Sequence, residues 1–339
     1  MKNKKEKYEV SILGAGSWGG TLAYLLSNKG INVNLWTPSI DEYNQINKTK
    51  TLTKPKKYKL NKNIKITTDF KNSIKNSKLI VIAVPTNVFR SVIKRIKDLN
   101  IKKDVIILSA TKGITTTDHK RPSAIIKEYL PKNPRAVLSG PNIALDVLSN
   151  VPIISIIACK DKKVGNYLQK IFSSTFFRIY TNDDIDGVET AGALKNVIAV
   201  AAGISDGLGY SISTKAALMS RGLIEIAKIT IKEGGNAKTL LGAAGIGDLI
   251  ATCCSTNSRN YRVGFELAKG KNLKTVLKDL GQVAEGVETV KSMVALENKY
   301  KVDTPIAKAI YEITINNKKA KDAVKKLLTR PLGGHELDF

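Results

Sequence analysis

One lysine inside an apolar helix is the residue of this chain best suited to moving a proton. Glu189-Thr-Ala-Gly-Ala-Leu-Lys195-Asn196 runs on into Val197-Ile-Ala-Val-Ala-Ala-Gly203, a stretch apolar nearly all round. A helix of that composition buries itself. Burial strips water from the Lys195 amine, disfavours its charged form and moves its pKa down towards the range of a general base. The ordinary alternative is a lysine that keeps its stem in the core and its amine in solvent. The only histidines, His119 and His335, are far apart in sequence, so few other side chains compete for the role.

Other polar groups of the second half also stand where apolar residues would be cheaper. Asp248 lies in Gly245-Ile-Gly-Asp-Leu249, a glycine-flanked carboxylate in nonpolar surroundings. Ser258, Arg259 and Asn260 precede a helix, so hydroxyl, guanidinium and amide can converge with backbone N–H groups on an anion. Glu285 follows a turn and opens the next helix. Helix capping is the plainer reading of Asp248, Ser258 and Glu285.

The start of the chain supplies a partner for such chemistry. Tyr8-Glu-Val-Ser-Ile-Leu13 reads as a strand, Gly14-Ala-Gly16-Ser17-Trp18-Gly19 follows, residues 21–29 have helical spacing, and Asn32-Val-Asn-Leu-Trp36 is the next strand. In that context G-x-G-x-x-G is a dinucleotide-binding pattern. Its first glycine makes the turn, the second admits a pyrophosphate, the third lets helix and strand pack, and the helix N-terminus faces the anion. The acid that usually grips the adenosine ribose is missing after Trp36; the first is Asp41, and no arginine stands beside it. NAD or NADP is therefore the expected cofactor, with the preference open; lysines 48, 50, 54, 56 and 57 could attract a 2′-phosphate.

Leu79–Thr86 and Asp104–Gly113 contain continuous apolar runs, as in parallel strands buried on both faces. They end in small polar residues, where open α/β sheets hold ligands. Lys112 sits at one such end, and Ser139-Gly140-Pro-Asn142 follows the strand 135–138. Strands at 152–158 and 175–180 complete a sheet of seven or eight, a doubly wound, mostly parallel Rossmann-type arrangement. After Asp186 the pattern is helical throughout, with stretches at 214–233, 259–269, 285–300, 305–315 and 320–328. The expected division is a dinucleotide-binding domain, 1–188, and an all-helical substrate domain, 189–339.

Composition narrows the partners. The chain has 339 residues and a formal net charge of +26. Its mean hydropathy is −0.12. The excess is lysine spread along the whole length, not an arginine-rich block with aromatics, so specific nucleic-acid binding is not expected; the field would steer a small phosphorylated substrate. No apolar run approaches the ~18 residues needed to span a bilayer, and the start lacks a signal-peptide core, which suggests a cytosolic protein. Cys159, Cys253 and Cys254 make neither a disulfide framework nor a metal site and read as small core filler. Oligomeric state is open, with a homodimer as the arrangement to test.

Taken together, GAGSWG, AVPT, the TKG with Lys112, SGPNIA, GALKNVIA, DGLG at 206–209, GIGDL, NSRN and VAEGV resemble the bacterial type of NAD(P)-dependent glycerol-3-phosphate dehydrogenase. The resemblance runs from the first strand to the C-terminal helices. It implies that Lys195 is the proton acceptor and that Lys112, Gly140, Asn142, Asp248, Ser258, Arg259 and Asn260 hold the glycerol phosphate. It implies cofactor contacts from Gly14, Gly16, Ser17, Trp18, Gly19, Tyr58, Lys112, Ala144, Arg259, Val283 and Glu285. The family commonly has Ser or Thr where Asn142 stands, and His or Arg in place of Pro38 and Ser39. The competing readings are a related two-domain hydroxy-acid or ketopantoate-type reductase, for which the NSRN phosphate grip has no purpose, and a non-catalytic protein that binds nicotinamide or nucleic acid.

Overall fold

A computed structural model describes residues 9–281 and 284–331. The described residues group into two units, 9–111 with 122–185, and 112–121 with those from 186 to 331.

The first unit is built on an eight-stranded sheet. Its strands are β1 (Val10–Leu13), β2 (Val33–Trp36), β5 (Ile64–Thr67), β6 (Leu79–Ile82), β7 (Ile106–Ser109), β8 (Arg135–Ser139), β9 (Ile153–Ala158) and β10 (Phe177–Asn182), with a small antiparallel pair, β3 (Thr51–Leu52) and β4 (Tyr58–Lys59), beside it. The spatial order is β10-β9-β8-β7-β6-β1-β2-β5. Every neighbouring pair is parallel except β8 with β9. Helices α1 (Ser17–Asn28), α2 (Ile40–Thr49), α3 (Phe70–Ile74), α4 (Thr86–Asp98), α5 (Pro122–Tyr129), α6 (Ala144–Leu148) and α7 (Lys162–Phe172) connect the strands.

Period-two alternation splits the apolar runs between the two faces of the sheet. Leu79 and Val81 join one core with Leu22, Leu26 and Phe172, whereas Ile80 and Ile82 join the other with Phe89, Ile93 and Ile126. This double burial is why β1, β2, β6 and β7 carry no solvent-facing polar positions. The edge strand β5 escaped the sequence reading because Ile64-Lys-Ile-Thr is short and half-covered.

The second unit is helical: α8 (Ile185–Gly207), α9 (Ile212–Lys232), α10 (Asp248–Cys254), α11 (Arg259–Ala268), α12 (Leu273–Leu280), α13 (Glu285–Tyr300), α14 (Pro305–Thr314) and α15 (Ala320–Leu328). A 3₁₀ turn at Ala237–Leu241 and a π turn at Ala243–Gly247 lead into α10. α8 is the axis of this unit. By length and composition alone it could cross a membrane, but its most apolar 18-residue window is buried among its neighbours, as in a core helix. Its apolar stretch around Lys195 was readable in the sequence, but its start at Ile185 was not. α11 crosses it backbone to backbone: a Cβ on Gly203 would lie 1.9 Å from the Tyr261 carbonyl oxygen, and one on Gly264 1.9 Å from that of Val200.

The segment Lys112–Arg121 belongs to the helical unit by several anchors. Ile114 is buried in its core. Ser292 Oγ donates to the Thr115 carbonyl at 2.9 Å. Arg121, buried, meets Asp186 at 2.6 Å, Glu189 at 3.4 Å and Glu233 at 3.3 Å. The cysteines divide: Cys159 and Cys253 are buried as expected of filler, but Cys254 is exposed.

Candidate active site

The helical unit brings two amines onto one carboxylate. Lys195, in the middle of α8, is 5% exposed, and Asp248, at the head of α10, is 2% exposed. Lys195 Nζ donates to Asp248 Oδ1 and to Thr252 Oγ1. Lys112 Nζ donates to the other carboxylate oxygen, Asp248 Oδ2, at 2.8 Å. Burial lowers the pKa of Lys112 to about 8; Asp248 opposes the shift and the like charge of Lys195 adds to it. No cluster of three metal-ligating side chains exists among the described residues.

Local structure explains the grouping. Gly245 lets the π turn pass against Leu240, whose carbonyl would sit 2.2 Å from an added Cβ. That tight turn delivers Asp248 to the buried start of α10. One helical turn later, Thr252 Oγ1 donates to the Asp248 carbonyl at 2.6 Å. Its proton is thereby committed, so its lone pairs face the Lys195 amine. Sequence reasoning missed Thr252, since a helical threonine bonding back to the residue four before it is commonplace.

The other residues expected to hold substrate have mixed placements. Ser258 caps α11, accepting from Tyr261 N at 3.3 Å, the plainer of its two readings. Asn260 is buried and both ends of its amide are used: Nδ2 donates to Asn196 Oδ1 and Oδ1 accepts from Gly286 N, each at 2.9 Å. It thus ties α8, α11 and α13 together. Arg259, at the first position of α11, is exposed and feels the opposite charge of Glu285 at the head of α13. In the sheet unit, Gly140 has a φ of +126° and follows β8. Asn142 Nδ2 donates to Ser155 Oγ at 2.9 Å.

The glycine loop fits a dinucleotide. Gly14 has a φ of +112°, and a Cβ there would approach the Ala83 carbonyl to 2.5 Å, so only glycine makes this turn. A Cβ on Gly19 would lie 1.9 Å from the Gly14 carbonyl. Around Gly16, by contrast, an added Cβ would meet nothing within 4 Å, leaving open space before the N-terminus of α1. Ser17 and Trp18 open that helix, and Trp18 Nε1 is buried without a hydrogen-bond partner. Ala144 opens α6, which packs on α1. Tyr58, from β4, lies against α1 with its ring edge-on to Tyr24 at 5.4 Å, and burial pushes its phenol up. Val283 lies outside the described residues.

Two features near the end of β2 were not legible locally. Thr37 Oγ1 donates to Glu42, bringing a carboxylate back to the strand end where the sequence offered none closer than Asp41. Arg95 of α4 covers the rings of Trp36 and Phe70, at 5.3 and 3.9 Å from their centroids.

A mostly parallel sheet with this loop, in one chain with a helical unit that buries a lysine on a carboxylate, defines a nicotinamide-dependent dehydrogenase. Residues 9–165 match the family described as NAD-dependent glycerol-3-phosphate dehydrogenase N-terminus, and 184–325 match its C-terminus. The chain belongs to this glycerol-3-phosphate dehydrogenase family. It is 42% identical over 322 residues to a glycerol-3-phosphate dehydrogenase [NAD(P)+] of Thermoanaerobacter sp. (strain X514), covering 95% of this chain and 97% of that one. It is 43% identical to the Bacillus subtilis (strain 168) protein of the same name, covering 95% and 94%. The crystal structure of glycerol-3-phosphate dehydrogenase from Coxiella burnetii superposes with a TM-score of 0.91 at 34% identity, covering 96% of this chain and 99% of that one.

Proposed function

We propose that this protein interconverts dihydroxyacetone phosphate and sn-glycerol 3-phosphate, supplying glycerol phosphate for phospholipid synthesis. The observation that carries the reading is the pair of amines on the buried Asp248 carboxylate, in a chain of this family. When bound, NAD or NADP supplies or accepts the hydride. Gly14, Gly16, Ser17, Trp18 and Gly19 would hold its pyrophosphate end, with Tyr58, Ala144, Val283, Arg259 and Glu285 completing the cofactor contacts.

Lys195 is the acid–base group. An ammonium has three protons. Asp248 and Thr252 accept two of them, so the third is the one exchanged with the C2 oxygen of the substrate. In oxidation the neutral amine takes the hydroxyl proton; in reduction the ammonium returns it. Lys112 pairs with the substrate's anionic or carbonyl oxygen while Asp248 holds it in place. Gly140, Asn142, Ser258, Arg259 and Asn260 make up the remaining phosphate and hydroxyl contacts. The ketopantoate-type alternative lacks a use for this cationic set and falls outside the matched family.

The test is loss of NADH or NADPH absorbance with dihydroxyacetone phosphate, run with both cofactors. Lys195→Ala should lose ~10²–10⁴-fold in kcat, the usual worth of general acid–base help, with cofactor binding by fluorescence unchanged. Near wild-type turnover in that variant would refute the role of Lys195; no turnover by the wild type would refute the substrate.

A further inference from the structure

The helical unit contains a cavity of about 650 Å³ that the proposed chemistry does not use. Neither Lys112, Lys195, Asp248 nor Thr252 lines it. One part of its wall is apolar: Ala201 and Ile204 from α8, Leu218 from α9, Ile306 and Ile310 from α14, and Leu327 from α15. Its size is that of a site for a small organic molecule.

Two observations say what such a molecule is. Ser205 lines the cavity, is 5% exposed, and its Oγ is buried without a hydrogen-bond partner. An unmade hydrogen bond of this kind costs free energy that a ligand oxygen would recover. The charge of the lining is the second. Arg221 and Lys228, two turns apart along α9, both line it. Two acids, Glu225 and Asp303, are among the described lining residues. Glu225 accepts from Ile306 N at 2.7 Å and Ala307 N at 3.1 Å, and burial raises its pKa to about 8. Asp303 meets Lys308 at 3.3 Å and Arg330 at 4.0 Å. Among the described lining residues the cations Arg221, Lys228 and Arg330 outnumber the acids Glu225 and Asp303, so the lining is positive in balance beside a long apolar wall. Large apolar side chains, Tyr210 and Leu328, stand exposed in the same lining, 40% and 74% open to solvent.

We propose that this cavity binds a single-chain amphiphile, its alkyl chain on the apolar wall and its anionic head, carboxylate or phosphate monoester, on Arg221, Lys228 and Ser205. The occupant is a ligand distinct from cofactor and substrate, and α8 is common to the cavity and to Lys195.

Titration calorimetry of the full chain with octanoate, decanoate and dodecanoate below their aggregation concentrations tests this, alongside dodecyl phosphate and neutral dodecyl maltoside. Saturable one-to-one binding is expected, tightening about fourfold for each added CH₂. The ratio of carboxylate to phosphate affinity names the head. Ala217→Trp, at an exposed position of the lining, should weaken binding at least tenfold without unfolding the protein. Arg221→Gln with Lys228→Gln should weaken the anions but not dodecyl maltoside, and Lys195→Ala should bind as the wild type does. Equal affinity for the neutral amphiphile, no dependence on chain length, or full binding by Ala217→Trp would overturn the proposal.

Discussion

Thr252 decides how Lys195 is presented. Its hydroxyl proton is spent on the Asp248 carbonyl, so the oxygen is an obligate acceptor towards the amine. Removing it leaves an ammonium proton unpaired, at a cost of about 1.5–3 kcal/mol for a hydrogen bond to a charged group. Thr252→Val should therefore lower kcat by ~10–100-fold while Thr252→Ser retains most activity, both measured in the absorbance assay. Lys112 sets a pH dependence whose sign follows from its pKa of about 8. Below that value it is charged and attracts the phosphorylated substrate; the charge is lost as pH rises through 8. The KM for dihydroxyacetone phosphate should climb towards about tenfold per pH unit above 8. Lys112→Arg, which stays cationic, should flatten the rise. A KM unchanged between pH 7 and 9.5 would remove Lys112 from substrate binding. Lys195 and Asp248 were legible because a polar residue amid apolar neighbours needs a reason. Thr252 was not, because nothing in the sequence distinguishes a threonine serving a lysine from one serving only its own helix.

Among the elements, the crossing of α8 and α11 sets the geometry that residue-level chemistry requires. A Gly→Ala change in a helix interior normally gains about 1 kcal/mol of propensity. At Gly264 the added methyl would collide with the Val200 carbonyl, and overpacking of this kind costs ~1–3 kcal/mol or more. The collision wins. Gly264→Ala should lower Tm by several degrees, whereas Gly165→Ala in α7, where the nearest atom is 3.7 Å away, should raise it. Thermal melts of the two variants check the pair, and equal shifts would show that propensity alone governs both. Helix periods made α13 and α15 readable to their last residues, as 285–300 and 320–328. α12, at Leu273–Leu280, was not read from the sequence. The π turn before α10 is invisible to periodicity, since it is a departure from period.

For the whole molecule, the apolar strand runs made the mostly parallel sheet legible, and the loss of strand patterns after residue 186 made the helical half so. The reversed direction of β9 was beyond reach: a strand buried among neighbours has the same sequence whichever way it runs. So was the allegiance of Lys112–Arg121, flanked on both sides by sequence of the sheet unit yet grouped with the helices. Burial of Ile114 and the three carboxylates around Arg121 decide that, and they lie far along the chain.

That displaced decapeptide means the helical half is not a continuous stretch of its own gene. A fragment beginning at Asp186 would lack Arg121, stranding Asp186, Glu189 and Glu233 without their shared cation, a loss worth about 3–5 kcal/mol. It would also leave Asp248 with one amine instead of two. Such a fragment should be aggregated or molten by near-UV circular dichroism, and a version with residues 112–121 grafted onto its start should recover a cooperative melt. The two halves cannot be shuffled by one crossover, and recombination that respects this fold has to inherit three breakpoints together.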